Sequence, residues 1–384
     1  MKVLVAGGGS GGHVTPVVAV IKELRALHPH VKVRFVTDGK FYKSVQKFLD
    51  SEGLNDVLVY KLAAGKFRRY SHFGPLDYLK HPSIMLANLA DLFKVAFGVL
   101  QSWWIMASWR PDVVFVKGGY VGLPVGLAAG LLWPRRPIVI HDSDTVPGLT
   151  NRVLSRFAKK IATGMPPENY DYDESRVVYT GIPVIKGLRP IGEKRQAELK
   201  SQFGFDPAKP LLVVTGGGLG AKRLNDAVLV EQKELSKLAS VALVAGHDQY
   251  EELPEHAQMP SFKVYDFLTE GFDDLVGAAD IVVSRAGATT VTELAALAKP
   301  TILVPNAMLP SSHQVKNAEA LVKADAVLVL DDDELEAKPQ LLAGAVKGLL
   351  DDAKRRTELA HGLHGFARPD AARELAEVII QAAK

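Results

Sequence analysis

Short, continuous runs of β-branched and other apolar residues recur along this chain, and they constrain its fold more than any other feature. Stretches with helical periodicity separate the runs. Uninterrupted apolar strands are typical of parallel sheets buried on both faces, and strands that alternate with helices predict βαβ units. We therefore predict an α/β fold. The runs are VLVA (3–6), VKVRFVT (31–37), DVVFV (112–116), PIVIH (137–141), PLLVVT (210–215), VALVAG (241–246), DIVVS (280–284) and PTILVP (300–305).

The combination of a strand and a glycine loop occurs twice, which predicts two domains. LLVVTGGGLGAKRLN (211–225) repeats the arrangement found at the start of the chain, and 384 residues suit two domains better than one. A Pro- and Tyr-rich stretch, TGMPPENYDYDE (163–174), is the best linker candidate. We predict two doubly wound, Rossmann-like domains, 1–183 and 184–363. Because ligands bind outside the carboxyl ends of strands in such sheets, we expect the site in a cleft between the domains.

Composition and charge exclude several classes of function. The chain has no cysteine, which rules out disulfides, cysteine-ligated zinc and a thiol nucleophile. Its formal net charge is +3, so binding to nucleic acid through bulk charge is not expected. The first residues run directly into a strand and a glycine loop, so we expect no signal peptide.

The loop GGGSGGHVTP (7–16) joins the first predicted strand to a helix. Its glycines match the dinucleotide-binding pattern GxGxxG, and Asp38 ends the second predicted strand, where a ribose-binding acid would stand. The loop is either a tight strand-to-helix turn or a place where backbone N–H groups face an anion. His13 at its rim is either structural or a general base, since a neutral imidazole suits that role near pH 7.

Two further strand-to-helix turns carry polar residues. In one, Lys222 and Arg223 follow the second glycine loop. A bound anion would offset the cost of cations in a first helical turn; alternatively, both side chains face solvent. In the other, SRAGATTVTE (284–293), Thr290 and Glu293 match a capping box. Alternatively, the Glu293 carboxylate accepts hydrogen bonds from a vicinal diol such as ribose.

Acidic residues at two places have the spacing of a metal site. HDSD (141–144) follows a predicted buried strand, and its two acids resemble those that hold a divalent metal on a diphosphate in metal-dependent sugar transferases. Asp171 and Asp173 have the same spacing in the predicted linker. We predict no metal at either place, because the chain lacks the single-domain layout that sets such a motif beside one nucleotide fold. The acidic run 331–333 is predicted to be a solvated loop and helix start.

Residues 84–109, the most apolar region, are predicted to be a helix with two possible environments. Polar residues interrupt the first half, and the uncharged part, 95–109, is shorter than the roughly 20 residues that span a bilayer, so we predict no transmembrane helix. The segment is either a core helix or, given its aromatic residues and flanking cations, a helix at a membrane interface. The candidate membrane-facing residues are Phe93, Phe97, Trp103 and Trp104.

Together these motifs resemble one family, the MurG transferases, over nearly the whole chain. A single glycine loop carries little information, but the ordered set is highly specific. The matching stretches, in the family's order and approximate spacing, are GGGSGGHVTP, PDVVFVKGGYVGLPVGLAA, HDSDTVPGLTNR, TGIPV, GGGLGAKRLN, SRAGATTVTELAALAKP and PSSHQVKNA.

The resemblance implies a GT-B fold, in which two Rossmann-like domains face a central cleft and the last helix, 364–384, packs back on the first domain. It implies an inverting transfer of N-acetylglucosamine from UDP-N-acetylglucosamine to the muramoyl 4-hydroxyl of undecaprenyl-diphosphate-N-acetylmuramoyl-pentapeptide (lipid I), forming lipid II in peptidoglycan synthesis. No cofactor and no obligatory metal are implied. The lipid acceptor implies a peripheral enzyme at the cytoplasmic face of the bacterial cell membrane.

Residue roles also follow from the resemblance. His13 matches the family's proposed general base, Glu293 the residue on the ribose, and Leu268 the residue whose backbone meets the uracil. His313 and Gln314 match a pair that holds sugar hydroxyls. The implied donor contacts are Ser10, Gly11, Gly12, Asp144, Gly218, Leu268, Ala288, Thr289, Thr290, Val291, Thr292, Glu293, His313 and Gln314.

Three departures from the family's pattern concern phosphate binding. A frequent arginine is Ile185 here, and a usual Ser-Gln pair is Gly218-Leu219. The phosphate contacts are therefore expected to be fewer or shifted to other residues. The candidates are Gly217, Gly220, Ala221, Lys222, Arg223 and Arg285.

The sequence leaves three alternatives open. One is another GT-B transferase with a different nucleotide sugar or acceptor, and another is an inactive module that binds a UDP-sugar. The third is a dinucleotide-dependent oxidoreductase built on the first glycine loop and Asp38. The oxidoreductase leaves the second glycine loop, Glu293 and the His313-Gln314 pair unexplained.

Overall fold

The structure is a computed structural model that describes residues 1–8, 11–68, 80–184, 187–217, 220–252, 259–266, 268, 271–309 and 312–384, with the backbone alone for residues 11–13 and 248. The chain forms two compact units. Unit 1 comprises Met1–Lys186 and Pro369–Lys384, and unit 2 comprises Gly187–Arg368. The predicted boundaries after residues 183 and 363 lie a few residues before the observed ones.

Strands and helices alternate along both units, and each predicted apolar run forms a strand. The strands are β1 Lys2–Ala6, β2 Lys32–Asp38, β3 Leu58–Leu62, β4 Val113–Val116, β5 Ile138–Asp142, β6 Lys160–Thr163, β7 Val177–Tyr179, β8 Leu211–Thr215, β9 Ser240–Val244, β10 Phe262–Tyr265, β11 Ile281–Ser284, β12 Thr301–Leu303 and β13 Leu328–Val329. The α-helices are α1 Gly11–Leu27, α2 Tyr42–Ser51, α3 Pro82–Trp109, α4 Gly119–Leu131, α5 Leu149–Leu154, α6 Glu193–Gln202, α7 Lys222–Val230, α8 Gln232–Leu238, α9 His247–Tyr250, α10 Phe272–Ala278, α11 Ala288–Ala296, α12 His313–Lys323, α13 Asp332–Ala337, α14 Gln340–Asp351, α15 Ala353–His364 and α16 Ala371–Ala382.

Each unit is built on a parallel sheet. In unit 1 the strand order is β3-β2-β1-β4-β5-β6-β7, and in unit 2 it is β10-β9-β8-β11-β12-β13. Every residue of the central strands β4 and β8 is buried, as expected for strands with a helical layer on both faces. This double burial explains why the central strands read as uninterrupted apolar runs.

Two hydrophobic cores hold the helices of unit 1 to its sheet. One core contains Val17 and Ile21 of α1 together with Leu375 and Ile379 of α16. The other lies beneath α3 and α4 and contains Trp109. Full burial of one such side chain contributes about 1.5–3 kcal/mol, so these contacts dominate the stability of the unit.

Both glycine loops lie at the point where the order of strands reverses. In unit 1 the reversal lies between β1 and β4, and in unit 2 between β8 and β11. Open α/β sheets bind ligands in the crevice at the carboxyl ends of the strands at such a point. The loops after β1 and β8 therefore each border a crevice suited to a ligand.

The predicted linker, residues 163–174, is wrong. Strand β6 ends at Thr163, and β7 pairs in parallel with β6, so the stretch is a connection inside unit 1. Its tyrosines are not exposed linker residues, since Tyr170 is buried. The observed division between the units follows Lys186 instead.

The last helix of the chain, α16, belongs to unit 1 and packs along α1. It is shorter than the predicted segment 364–384, because residues up to His364 form α15 of unit 2. Its buried face is apolar, which explains why the end of the chain packs on the first sheet.

Candidate active site

In unit 1 the first glycine loop leaves β1 close to neighbouring side chains. A Cβ atom on Gly8 would lie 2.7 Å from Oγ1 of Thr37 and 3.0 Å from Cγ2 of Val121, so only glycine fits there. The chain then enters α1, in which His13 is part of the first turn. Ser10 lies outside the described residues, and the side chain of His13 is not described, so their roles stay predictions.

The second glycine pair of unit 1 follows β4. Gly118 and Gly119 have φ angles of 96° and 72°, which favour glycine, and they lead into α4. The hydroxyl of Tyr120 donates a hydrogen bond to Asp38, whose other oxygen accepts one from the N–H of Phe41 at 3.1 Å. The carboxylate that an oxidoreductase would use for ribose is thus engaged in joining α4 to the end of β2.

Residues 142–144, which we call the acid segment, begin at the last residue of β5. Asp142 is 4% exposed, and the Tyr172 hydroxyl donates to its Oδ2 at 2.7 Å. Burial raises the pKa of Asp142 to about 6. Asp144 is only partly buried, and its carbonyl oxygen accepts a hydrogen bond from the Tyr170 hydroxyl at 2.9 Å. A ligand can therefore approach Asp144 but not Asp142.

The two tyrosines that hold the acid segment come from the wrongly predicted linker. Their rings stack with centroids 5.8 Å apart. Another residue of this site, Lys117, is fully enclosed at the end of β4. The sequence argument did not identify these three residues, although the position of Lys117 directly before two glycines was a usable signal.

In unit 2 the glycine loop after β8 turns in a space that excludes side chains. A Cβ atom on Gly216 would lie 2.4 Å from the Ala221 nitrogen, and one on Gly220 would lie 2.3 Å from the Ala245 oxygen. Gly217 has a φ of 78°, and its N–H donates to Oγ1 of Thr215 at 3.1 Å. Close contacts with neighbouring backbone therefore require glycine at positions 216 and 220. Gly218 and Leu219 lie outside the described residues.

Helix α11 follows β11 and faces this loop. It begins at Ala288 with Gly287 as its N-cap, so Thr290 lies inside the first turn. Of the two alternatives for Thr290 and Glu293, the capping box is therefore excluded. A Cβ atom on Gly217 would lie 4.0 Å from Oγ1 of Thr290, which places the two turns side by side. Ala288, Val291 and Thr292 are buried, whereas Thr289, Thr290 and Glu293 are partly buried.

Glu293 is a strongly perturbed acid of unit 2. Burial, with a smaller contribution from the Asp273 carboxylate, raises its pKa to about 8. Within the part of the chain that the structure describes, no group donates a hydrogen bond to its carboxylate. A carboxyl group in this environment gains most from a ligand that brings donors.

The three cations suggested for phosphate binding already have carboxylate partners. Lys222 pairs with Asp226 at 3.0 Å within α7. Arg223 pairs with Asp333 at 2.6 Å and with Glu336 at 3.1 Å. Arg285 is buried against Asp332. The run 331–333, predicted to be a solvated loop and helix start, does begin a helix, but Asp332 is buried and not solvated.

The last predicted donor contacts lie on and near α12. His313 and Gln314 form its first turn, and Oε1 of Gln314 accepts a hydrogen bond from the N–H of Asn306 at 2.9 Å. This bond fixes the loop after β12. Leu268 is partly buried against the core beneath α11, and residues 267, 269 and 270 beside it are outside the described residues.

Helix α3 presents both of its predicted environments. Val95, Ile105, Met106 and Trp109 are buried, and the helix packs on α4 and β3. By length and apolar composition α3 could cross a membrane, but a single such helix is weak support for a span. Its exposed face is nevertheless strongly apolar: Phe93 and Trp104 are each 69% exposed, and Phe97 and Trp103 are exposed beside them.

The apolar face continues beyond α3. The indole N–H of Trp103 donates to the carbonyl of Trp133 at 2.9 Å, and Trp133 itself is 84% exposed. Arg135, Arg136 and Arg156 line a surface cavity that adjoins Leu131 and Trp133 in sequence. Exposed aromatic side chains bordered by cations are the composition of an interfacial surface.

Comparison with known proteins gives the chain a family. Residues 3–163 match the glycosyltransferase family 28 N-terminal domain, and residues 211–375 match the C-terminal domain of the same family. The UDP-N-acetylglucosamine–N-acetylmuramyl-(pentapeptide) pyrophosphoryl-undecaprenol N-acetylglucosamine transferase of Listeria welshimeri is 32% identical over 99% of both chains. The transferase of the same name from Clostridium botulinum is 32% identical over 88% of both chains.

Solved structures agree with this comparison. The crystal structure of Acinetobacter baumannii MurG matches with a TM-score of 0.70, at 26% identity over 99% of both chains. The Streptomyces glycosyltransferase SsfS6, solved with thymidine diphosphate, matches with a TM-score of 0.62 at 17% identity over 99% of both chains, a likeness of fold alone. The chain therefore has the GT-B fold, is a glycosyltransferase of family 28, and belongs to the MurG family within it.

Proposed function

We propose that this chain transfers N-acetylglucosamine from UDP-N-acetylglucosamine to the muramoyl 4-hydroxyl of lipid I, with inversion at the anomeric carbon, and so forms lipid II. Relatives that share its full length are named for this reaction. Within the molecule, the observation that carries the proposal is Glu293, a partly buried carboxyl group beside the glycine loop of unit 2 that no described residue supplies with a hydrogen-bond donor.

Glu293 suits the ribose of the nucleotide. An ionised carboxylate accepts hydrogen bonds through both oxygens, and two vicinal hydroxyls supply two donors. Hydrogen bonds to a charged group contribute about 1.5–3 kcal/mol each, which offsets the desolvation that raises the pKa of this residue. Since the capping box is absent, the carboxylate has no competing role at the start of α11.

Backbone groups are the better candidates for the diphosphate. Lys222, Arg223 and Arg285 are paired with carboxylates, so their charges are largely compensated. The backbone N–H groups at the N-terminus of α7 remain. A helix N-terminus favours an anion, and preorganised donors stabilise the charge that develops on departing UDP.

His13 is the proposed general base. It lies in the first turn of α1, directly after the glycine loop at the crevice of unit 1. A neutral imidazole there would take the proton from the attacking hydroxyl of the acceptor. General-base catalysis of this kind typically contributes 10²–10⁴-fold in rate, about 3–5 kcal/mol.

Unit 1 is also the proposed membrane-binding unit. Its apolar face comprises the exposed side of α3 and Trp133, and the arginines at 135, 136 and 156 lie beside it. Such a face lies at the lipid interface while the cations meet anionic head groups. The acceptor's polyprenyl tail keeps it in the inner leaflet, so we place the enzyme peripherally at the cytoplasmic face of the membrane.

The deciding experiment is an in-vitro transfer assay with a lipid I analogue and a panel of UDP-sugars, with and without EDTA. We expect UDP release only with UDP-N-acetylglucosamine plus acceptor, and no loss of rate in EDTA. Faster transfer of another sugar would contradict the donor assignment. Binding of UDP-N-acetylglucosamine without UDP release would indicate an inactive binding module.

A cheaper titration tests the oxidoreductase alternative. Tryptophan fluorescence is followed while UDP and NAD are added in separate experiments. We expect a saturable change with UDP alone. A saturable change with NAD and none with UDP would move the nucleotide to the first glycine loop and overturn the proposal.

A further inference from the structure

Lys117 is a buried charge that the proposed mechanism leaves unused. It directly follows β4, its side chain is 2% exposed, and its ammonium donates a hydrogen bond to Oγ of Ser143, its one partner among the described residues. Burial lowers its pKa to about 8, although the carboxylates of Asp144 and Asp142 raise it. A methionine would fill the same space without desolvating a charge, so packing alone does not account for a lysine here.

The partner of Lys117 lies in the middle of the acid segment. Asp142 on one side of Ser143 is enclosed, because Tyr172 donates to its Oδ2 at 2.7 Å and the N–H of Gly148 lies 3.4 Å from its Oδ1. Asp144 on the other side is only partly buried. Of the two acids that flank Ser143, Asp144 is therefore the one that a ligand can reach.

The backbone of the acid segment is held in place from the opposite side. The Tyr170 hydroxyl bonds to the carbonyl of Asp144, and the N–H of Gly164 donates to the carbonyl of Asp142 at 2.7 Å. A Cβ atom on Gly164 would lie 3.0 Å from Cα of Ser143, so the two backbones are in close contact. The tyrosines and Gly164 already fix the main chain of the acid segment. What Lys117 adds to the segment is therefore its positive charge.

We infer that Lys117 is a positioning residue for the transfer: its ammonium, held by Ser143, orients the neighbouring carboxylate of Asp144 to accept a hydrogen bond from a hydroxyl of the donor sugar. The inference rests on the proposed function and on the predicted role of Asp144 as a contact of the donor. In transferases with two acids one residue apart, a divalent ion can supply the positive charge. Here the charge is part of the chain, carried by the strand next to the one that precedes the acids.

A double-mutant cycle tests this coupling. Lys117→Met, Asp144→Asn and the double variant are assayed for kcat and KM with UDP-N-acetylglucosamine at saturating acceptor, while UDP affinity is measured separately. If Lys117 acts through Asp144, each single variant lowers kcat/KM for the donor by about 10- to 100-fold, and the double variant is no worse than Asp144→Asn. UDP affinity stays within about twofold of wild type, because the charge removed faces the sugar and not the nucleotide.

Two additional variants separate charge from folding. Lys117→Gln keeps a donor for Ser143 but removes the charge, so it is expected to behave as Lys117→Met does. Lys299→Met removes another buried lysine, one that donates to the carbonyls of Gly277 and Ala279 in unit 2. That control is expected to lower the melting temperature. When it is combined with Asp144→Asn, the fold-reductions in kcat/KM of the two single variants are expected to multiply, as they do for independent sites.

The inference is overturned if the fold-reductions in kcat/KM caused by Lys117→Met and Asp144→Asn multiply in the double variant. It is also overturned if either Lys117 variant keeps the wild-type kcat/KM. A loss of activity explained by a lower folded fraction in both Lys117 variants would likewise assign the residue to stability. These outcomes are distinct from failure of the proposed function, which would appear as absence of N-acetylglucosamine transfer by the wild-type chain.

Discussion

Arg285 and Asp332 form a buried ion pair in unit 2, with Nη1 of the arginine 2.6 Å from Oδ1 of the aspartate. The same guanidinium nitrogen donates to the carbonyl of Val304 at 3.0 Å. The pair joins the end of β11 to the start of α13 beneath the candidate nucleotide site. The charge of Arg285 is therefore compensated by Asp332, which supports our proposal that backbone groups bind the diphosphate.

Asp332→Asn tests this structural role. The substitution leaves a buried guanidinium without its counter-charge, and breaking such a pair costs about 3–5 kcal/mol. We expect a loss of that size in the free energy of unfolding, measured by urea denaturation. Asp333→Asn is the matched control: its side chain is exposed and pairs with Arg223, so its loss is expected to stay below about 1 kcal/mol. Equal losses in both variants would contradict the assignment.

His13→Ala tests the general base. We expect kcat to fall by about 10²–10⁴-fold, because the acceptor hydroxyl loses its proton acceptor, while UDP affinity measured by fluorescence titration stays the same. His30→Ala, which removes an exposed imidazole from the loop before β2, is expected to keep full activity. If His13→Ala retains a rate within a few-fold of wild type, another group removes the proton.

The raised pKa of Glu293 predicts a pH dependence of nucleotide binding. The ionised carboxylate is the form that accepts from ribose, and with a pKa of about 8 only a minority is ionised at pH 7. UDP affinity should therefore rise by up to about tenfold between pH 7 and pH 9. Glu293→Gln is expected to bind more weakly and without this rise. A wild-type affinity that is constant over this range would remove Glu293 from the ribose site.

The stability of the ligand-free chain should fall as pH rises, whereas its affinity for UDP should increase. The folded-state pKa of Glu293 lies above the unfolded value near 4.5, so the protonated group favours the folded state. This contribution is complete below about pH 4.5 and is lost as pH rises through 8. Glu293→Gln should therefore show a smaller decline in melting temperature between pH 5 and pH 8. Asp273→Asn should shift the decline to lower pH, because the Asp273 carboxylate raises the pKa of Glu293.

Phe97→Glu and Trp104→Glu test the membrane-binding face. Both side chains are largely exposed, so we expect unchanged melting temperatures and at least severalfold weaker sedimentation with phosphatidylglycerol-containing vesicles. Val230→Glu, at an equally exposed apolar position in unit 2, should leave vesicle binding intact. If all three variants bind vesicles as the wild type does, the apolar face of α3 serves a different contact.

The sequence predicts the central strands well and the edges poorly, for a physical reason. Strands such as β4 and β8 are buried on both faces, so every position must be apolar and the run is easily recognised. Edge strand β7 is partly buried throughout, and β13 has only two residues, so neither carries a strong pattern. The tyrosines of 163–174 resembled linker residues because their burial depends on contacts with β5, which are distant in sequence.

In the candidate site, the positions of the backbone turns could be predicted from the sequence, but the partners of long side chains could not. Glycine loops and helix starts are properties of local sequence, and the turns after β1, β8 and β11 lie where they were predicted. The direction of a long side chain depends on its partners, which is why Arg223 and Arg285 were assigned to phosphate although Asp332 and Asp333 pair with them. Lys117 was missed although it stands directly before two glycines, because its hydrogen bond to Ser143 joins residues that are distant in sequence.

The return of α16 to the first sheet has a consequence for how the chain is made. Leu375 and Ile379 complete a core whose other members lie near the beginning of the chain, including Val17 and Ile21. Unit 2 lies between these two groups in the chain, so a ribosome delivers all of unit 2 before it delivers Leu375 and Ile379. The unit that is started first is thus the last to close, because its core along α1 is complete only when α16 has emerged.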